Sequence, residues 1–135
     1  MTIKRVDHIA IVVDSIDEAR AFYEDALGLT IEHTEQIDEQ EVKVAFLPIG
    51  ETEIELLEPT NDSSGVAKFL SKRGGGIHHI ALEVDSVQEM IDRLKMKGIA
   101  LLNEEPAVGA GGNLVAFIHP RSAYGVLIEF YQKPD

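Results

Sequence analysis

Four side chains, His8, Glu55, His79 and Glu129, have the types that together hold a divalent cation, and they recur at matched places. His8 heads HIAIVVDSI and His79 heads HIALEVDSV, 71 positions apart. Glu55 lies in IELL and Glu129 in LIEF, matched again after a small insertion. A carboxylate inside an apolar strand is costly to desolvate unless it is paired or metal-bound. Two imidazoles and two carboxylates without sulfur suit Co²⁺, Ni²⁺, Mn²⁺, Zn²⁺ or Mg²⁺. Four protein ligands on an octahedral ion leave two adjacent positions open, which is what a substrate presenting two oxygens requires. A lone strand histidine is ordinarily structural, and a lone strand glutamate ordinarily lies on a solvent face. Recurrence by repeat is what singles out these four.

The elements that position them are also repeated. VDHIAIVVDS (6–15) laid over IHHIALEVDS (77–86) gives six identities in ten. Val44-Ala45-Phe46 falls on Val115-Ala116-Phe117, and Ile54-Glu55-Leu56 on Ile128-Glu129-Phe130. In each opening stretch the side chains alternate with a period of two, which predicts a strand. Glu55 shares a face with Glu53 and Leu57, and Glu129 with Leu127 and Tyr131. Ser15-Ile-Asp-Glu18 and Ser86-Val-Gln-Glu89 are capping boxes that start a helix. Apolar stripes follow at helical spacing: Ala19, Phe22, Tyr23, Ala26 and Leu27, then Val87, Met90, Ile91 and Leu94. Gly28 and Gly98 stand where left-handed helix ends belong. Further strands are expected over 29–35, 41–49 and 52–58, and over 99–104, 113–119 and 125–131. The polar, Gly-rich connector 61–76 holds a short helix over 65–72, with Val66, Phe69 and Leu70 turned inward.

The expected class is therefore α+β: two βαβββ modules curling into one eight-stranded, half-open barrel with helices outside. A single domain spans 1–135, with module 1 about 4–60, the connector 61–76 and module 2 about 77–131.

Composition removes whole classes of function. The chain has 135 residues, no cysteine and a net charge of −12, so disulfides and thiolate metal sites are excluded. Nothing resembles the clustered cations of a duplex-binding protein, so no nucleic-acid partner is expected. The apolar runs are too short to span a bilayer. MTIKRVDHIA has no apolar h-region, so no secretory signal is expected and a cytoplasmic location fits.

Other candidates read as structural. His78 points away from His79, His33 lies in a polar edge-like stretch, and His119 sits at a strand end beside a turn. Gly109–Gly112 lacks a phosphate-loop context and reads as a hairpin connection. EQIDEQE (35–41) reads as an exposed hairpin. Lys68, Lys72, Arg73 and Arg121 are the basic residues best placed to meet an anionic tail.

The paired βαβββ plan with VDHIAI, IEL, HHIAL and GVLIE resembles the vicinal oxygen chelate (glyoxalase/bleomycin resistance/dioxygenase) superfamily. Within it, IHHIALEVDSV, EEPAVGAGGNLVAFIHP, GVLIEFYQ and the connector resemble the methylmalonyl-CoA epimerase family essentially end to end. The resemblance implies metal ligands at His8, Glu55, His79 and Glu129, with Co²⁺ favoured and Ni²⁺, Mn²⁺ or Zn²⁺ as alternatives. It implies proton removal at C2 of an acyl-CoA substrate through a metal-stabilised enolate, with Glu129 and Glu55 as the catalytic acid/base pair. Some epimerases carry glutamine at the position of Glu55 and a glutamate on the neighbouring strand; here that neighbouring position falls near Val44. A homodimer is expected. The alternative is a glyoxalase I (lactoylglutathione lyase)-type isomerase with the same ligands. An extradiol dioxygenase would want three ligands and three open positions, which a fourth ligand at Glu55 argues against. A drug-sequestering binding module would lack the metal set.

Overall fold

The computed structural model describes residues 2–108 and 112–134. Eight strands and three α-helices are found among them: β1 (Ile3–Val12), α1 (Ile16–Arg20), β2 (His33–Ile37), β3 (Val42–Ile49), β4 (Thr52–Pro59), α2 (Gly65–Arg73), β5 (Gly76–Val84), α3 (Val87–Met96), β6 (Ala107–Val108), β7 (Leu114–Ile118) and β8 (Leu127–Gln132). The strands hydrogen-bond in the open order β2-β3-β4-β1-β5-β8-β7-β6, so the expected α+β class with eight strands stands. No helix among the described residues is long and apolar enough to cross a membrane.

The chain divides into two compact units, His8–His78 and Met1–Asp7 with His79–Asp135. In the first, β1 runs parallel to β4, with Ala10 opposite Glu55 and Val12 opposite Leu57. β3 runs antiparallel to β4, with Phe46 opposite Glu55 and Val44 opposite Leu57. One face therefore carries Ala10, Val12, Val42, Val44 and Leu57, with Val66, Phe69 and Leu70 of α2 packed on it. The other face carries Ala45, Leu47 and Leu56, covered by Ile16, Ala19 and Tyr23. Ile16, Leu47 and Leu56 are wholly buried, and each such aliphatic side chain contributes about 1.5–3 kcal/mol.

The second unit repeats the plan. β5 runs parallel to β8, with Ala81 opposite Glu129, and β7 runs antiparallel to β8, with Phe117 opposite Glu129. Val84, Val87, Met90, Ile91, Ala116 and Phe130 form its core.

The helix starts follow the same rule twice. Ser15 Oγ accepts the Glu18 amide and Ser86 Oγ the Glu89 amide, both at 3.2 Å. The next free amide of each helix is met from the end of the module's own closing strand. Glu58 Oε1 accepts from Ile16 N at 2.7 Å, and Gln132 Oε1 from Val87 N at 2.9 Å. Side-chain oxygens thus satisfy first-turn amides that have no partner within the helix. Gly28 and Gly98 take the expected left-handed backbone, with φ +81° and +71°.

Two expectations are corrected. The first helical stripe does not hold to its end: Phe22 and Leu27 are more than half exposed. Residues Ala21–Ala26 are π-helical, with the Leu27 amide bonded to the Phe22 carbonyl at 2.9 Å. The wider turn rotates those residues out of the stripe. The strand expected over 99–104 is reduced to one bridge between Leu101 and Ile118, and the paired strand comes later, at Ala107–Val108. The cause is Asn103, whose side-chain oxygen takes the Phe117 amide at 2.9 Å in place of a ladder carbonyl. Of the Gly109–Gly112 connection, residues 109–111 lie outside the described residues.

Candidate functional site

Each unit holds one histidine–glutamate pair in the same setting. In the first, His8 Nδ1 of β1 lies 3.4 Å from Glu55 Oε2 of β4, with side chains 14% and 16% exposed. In the second, His79 Nε2 of β5 lies 3.7 Å from Glu129 Oε1 of β8, with both side chains 16% exposed. The four residues singled out from sequence therefore fall into two corresponding, largely buried pairs, which meet through different ring nitrogens.

The strand registers give each glutamate the same neighbours. Glu55 has Ala10 across one ladder and Phe46 across the other. Glu129 has Ala81 and Phe117. Residues directly opposite on paired strands share a face. Each carboxylate thus has a small alanine on one flank and a larger apolar phenylalanine on the other. Val44 is buried, stands opposite Leu57 and has no proton to move.

The two separations can be set against those of ligands that share a cation. A direct charged N–H···O bond is shorter than these contacts, at about 2.7–2.9 Å. Two N or O ligands each bound at about 2.0–2.2 Å, with a tetrahedral or octahedral angle between them, lie roughly 3.0–3.5 Å apart. His8 and Glu55 fall in that range, and His79 and Glu129 are just outside it. The donor chemistry, imidazole with carboxylate, fits a borderline divalent ion.

A second polar cluster escaped the sequence reading. Arg5 Nε donates to Glu83 Oε1 at 2.7 Å and Arg5 Nη2 to Asp7 Oδ1 at 3.0 Å. The Tyr131 hydroxyl donates to the same Asp7 oxygen at 2.6 Å. Burial, and then the bond to Asp7, pushes the Tyr131 hydroxyl well above its ordinary pKa. The Glu83 hydrogen bond raises the Arg5 guanidinium. The signal was available: Arg5 and Asp7 are charged residues within a strand, and Tyr131 ends the face that carries Glu129.

The remaining histidines are structural. His33 stacks on Phe46 at 4.4 Å and is nearly half exposed on the edge strand β2. His119 caps a short 3₁₀ turn, its Nδ1 accepting the Arg121 amide at 3.0 Å. His78 packs edge-on to Phe69 at 5.2 Å. Burial lowers its pKa, and the nearby Arg73 adds to the effect. Of the largely exposed 35–41 stretch, residues 35–37 end β2 and residues 38–41 form the turn to β3.

Residues 7–117 match the family described as the Glyoxalase/Bleomycin resistance protein/Dioxygenase superfamily. The mitochondrial methylmalonyl-CoA epimerase of Bos taurus is 40% identical over 129 residues, covering 95% of this chain and 74% of its own. Among solved structures, the hypothetical protein BH1468 from Bacillus halodurans C-125 is 50% identical, with a TM-score of 0.88 over 97% of this chain and 95% of that one. A methylmalonyl-CoA epimerase in complex with methylmalonyl-CoA and NH₄⁺ is 36% identical, with a TM-score of 0.84 over 98% and 96%.

Proposed function

As the chain belongs to the Glyoxalase/Bleomycin resistance protein/Dioxygenase superfamily, we propose that it is a metal-dependent epimerase that interconverts (R)- and (S)-methylmalonyl-CoA by moving the proton at C2. One observation carries the reading: a largely buried histidine–glutamate pair recurs at the corresponding place in each unit, at 3.4 and 3.7 Å. The 40% identity of the bovine epimerase over 95% of the chain supports the substrate.

His8, Glu55, His79 and Glu129 would hold one divalent ion, Co²⁺ ahead of Ni²⁺, Mn²⁺ or Zn²⁺. The donor types of His8, His79 and Glu129 support that reading. When bound, the ion supplies Lewis-acid polarisation of the substrate's carbonyl and carboxylate oxygens.

The chain's own groups supply the proton transfers. Inversion at C2 needs one acid/base group on each face of the planar carbanion. Glu129 removes the proton from one side and Glu55 returns one from the other. Val44 leaves Glu55 as the carboxylate available in the first unit. Phe46 and Phe117, across the ladders from Glu55 and Glu129, put an apolar residue beside each carboxylate, and charge developing in a less polar surround is more strongly stabilised.

The test is exchange of the C2 proton of methylmalonyl-CoA in deuterated water, with the protein stripped of metal and then reloaded with Co²⁺. Exchange with the loaded protein and its absence with the stripped one is the expected result. Exchange at equal rates in both would overturn the metal-dependent reading. If the hemithioacetal of glutathione were isomerised and methylmalonyl-CoA left untouched, the glyoxalase I assignment would replace this one.

A further inference from the structure

The molecule carries 24 acidic against 12 basic residues, yet helix α2, GVAKFLSKR, contains three cations and no acid. Lys68, Lys72 and Arg73 are all exposed. No ion pair joins any of the three among the described residues. The helix is seated on the face of the first unit that carries Glu55: Val66, Phe69 and Leu70 pack against Ala10, Val12 and Leu57. Its end is held close to β1, because Gly75 (φ +98°) passes so near that a Cβ there would lie 3.1 Å from the Val12 carbonyl oxygen. Only glycine suits both that approach and that backbone. Val12 is two residues along β1 from Ala10, the partner of Glu55, or roughly 6.6 Å at strand rise.

The two flanks of α2 differ in charge. The flank of Ala67 and Ser71 borders a groove whose lining includes Asp14 and Asp62, and a polyanion is repelled there. On the other flank lies Phe69, with the Arg73 guanidinium 5.2 Å from its ring centroid. That contact holds the guanidinium against the helix end, and the Arg73 side chain remains exposed. Lys68 and Lys72 are one turn apart on the outer surface.

We propose that Lys68, Lys72 and Arg73 of α2 form a subsite for the phosphates of the coenzyme A portion of the substrate. The inference rests on the acyl-CoA reading above. The pantetheine arm runs from the Glu55 face past the end of β1, and the phosphates lie along the cationic line on the Phe69 flank. The subsite gives an acidic protein a local means of holding a polyanionic tail that its overall charge would repel.

The experiment compares wild type with Lys72→Gln/Arg73→Gln and with Lys68→Gln. It uses methylmalonyl-CoA, the phosphate-free N-acetylcysteamine thioester of methylmalonate, and coenzyme A alone. For the double variant, KM for methylmalonyl-CoA should rise about ten-fold, as expected for the loss of charge-assisted contacts. Its kcat should stay within about two-fold, and the truncated thioester should be turned over as by wild type. The Kd for coenzyme A should rise in parallel, and its dependence on salt should flatten. Lys68→Gln should show the same pattern with a smaller rise. Unchanged KM and Kd in the double variant, or an equal loss with both thioesters, would overturn the subsite. If wild type turns over neither thioester but binds coenzyme A more tightly than the variants, the reaction reading fails and the subsite stands.

Discussion

Phe117 stands directly across the β7–β8 ladder from Glu129, as Phe46 stands across from Glu55 on the β3–β4 ladder. The two carboxylates thus have equivalent apolar flanks, and their side chains are equally exposed at 16%.

The first prediction concerns those carboxylates. Glu129→Gln keeps the shape and removes the base. Epimerisation should fall by at least about 10²-fold, the usual contribution of a positioned acid/base. Glu55→Gln should abolish epimerisation to a similar extent while leaving one-sided deuterium exchange at C2 measurable, since Glu129 still removes the proton. Proton NMR of the substrate in deuterated water, combined with chiral analysis of the product, separates the two. Full epimerisation by either variant would remove that residue from the proposed pair.

A second prediction follows from the proposed ligand set. A ligand that binds only the folded protein stabilises it by about 2.7 kcal/mol at a hundred times its Kd. Saturating Co²⁺ should therefore raise Tm, and a chelator should reverse the rise. His8→Ala and His79→Ala should each lose most of that shift, whereas His33→Ala should retain it. Differential scanning calorimetry with and without metal reads this directly. An equal shift in His79→Ala and wild type would separate His79 from the ion.

Much of this was legible because the repeat checks itself. Ser15 and Ser86, Gly28 and Gly98, and the two histidine–glutamate pairs are local or periodic signals that appear twice. What stayed hidden depends on contacts made across the fold. Nothing near residue 103 announces that Asn103 will take the Phe117 amide and shorten the strand expected at 99–104. The π turn at Ala21–Ala26 leaves the apolar spacing unchanged in sequence while rotating Phe22 and Leu27 outward. Arg5, Asp7 and Tyr131 meet across more than 120 positions, beyond the reach of any periodicity. Glu58 and Gln132 read as ordinary strand ends until they are seen capping Ile16 and Val87.

Those caps yield a third prediction. Ser86→Ala removes the oxygen that accepts the Glu89 amide and should destabilise the protein by about 1 kcal/mol, typical for an N-cap. The Val87 amide keeps Gln132 as its acceptor, so the helix should persist. The double variant Ser86→Ala/Gln132→Ala leaves both amides unmet and should lose more than either single variant. Urea unfolding followed by circular dichroism measures all three. A double variant no less stable than Ser86→Ala would mean that Gln132 contributes nothing as a cap.

The last prediction concerns Tyr131, which is 6% exposed and donates to Asp7. Tyr131→Phe keeps the ring and removes the hydroxyl. Asp7 retains Arg5 at 3.0 Å, so the expected loss at pH 7 is about 0.5–1.5 kcal/mol, that of one hydrogen bond with its acceptor still satisfied. The pH dependence has a definite sign. In the folded protein the hydroxyl pKa lies above its unfolded value of about 10. The neutral form is therefore favoured by folding. Its contribution is fully present below about pH 10 and declines as pH rises above that point, where the unfolded chain ionises and the folded one does not. The urea midpoint of wild type should thus fall more steeply above pH 10 than that of Tyr131→Phe, narrowing the gap between them. Parallel curves from pH 7 to 11 would show that the Tyr131 proton is held no more tightly in the folded state than in the unfolded one.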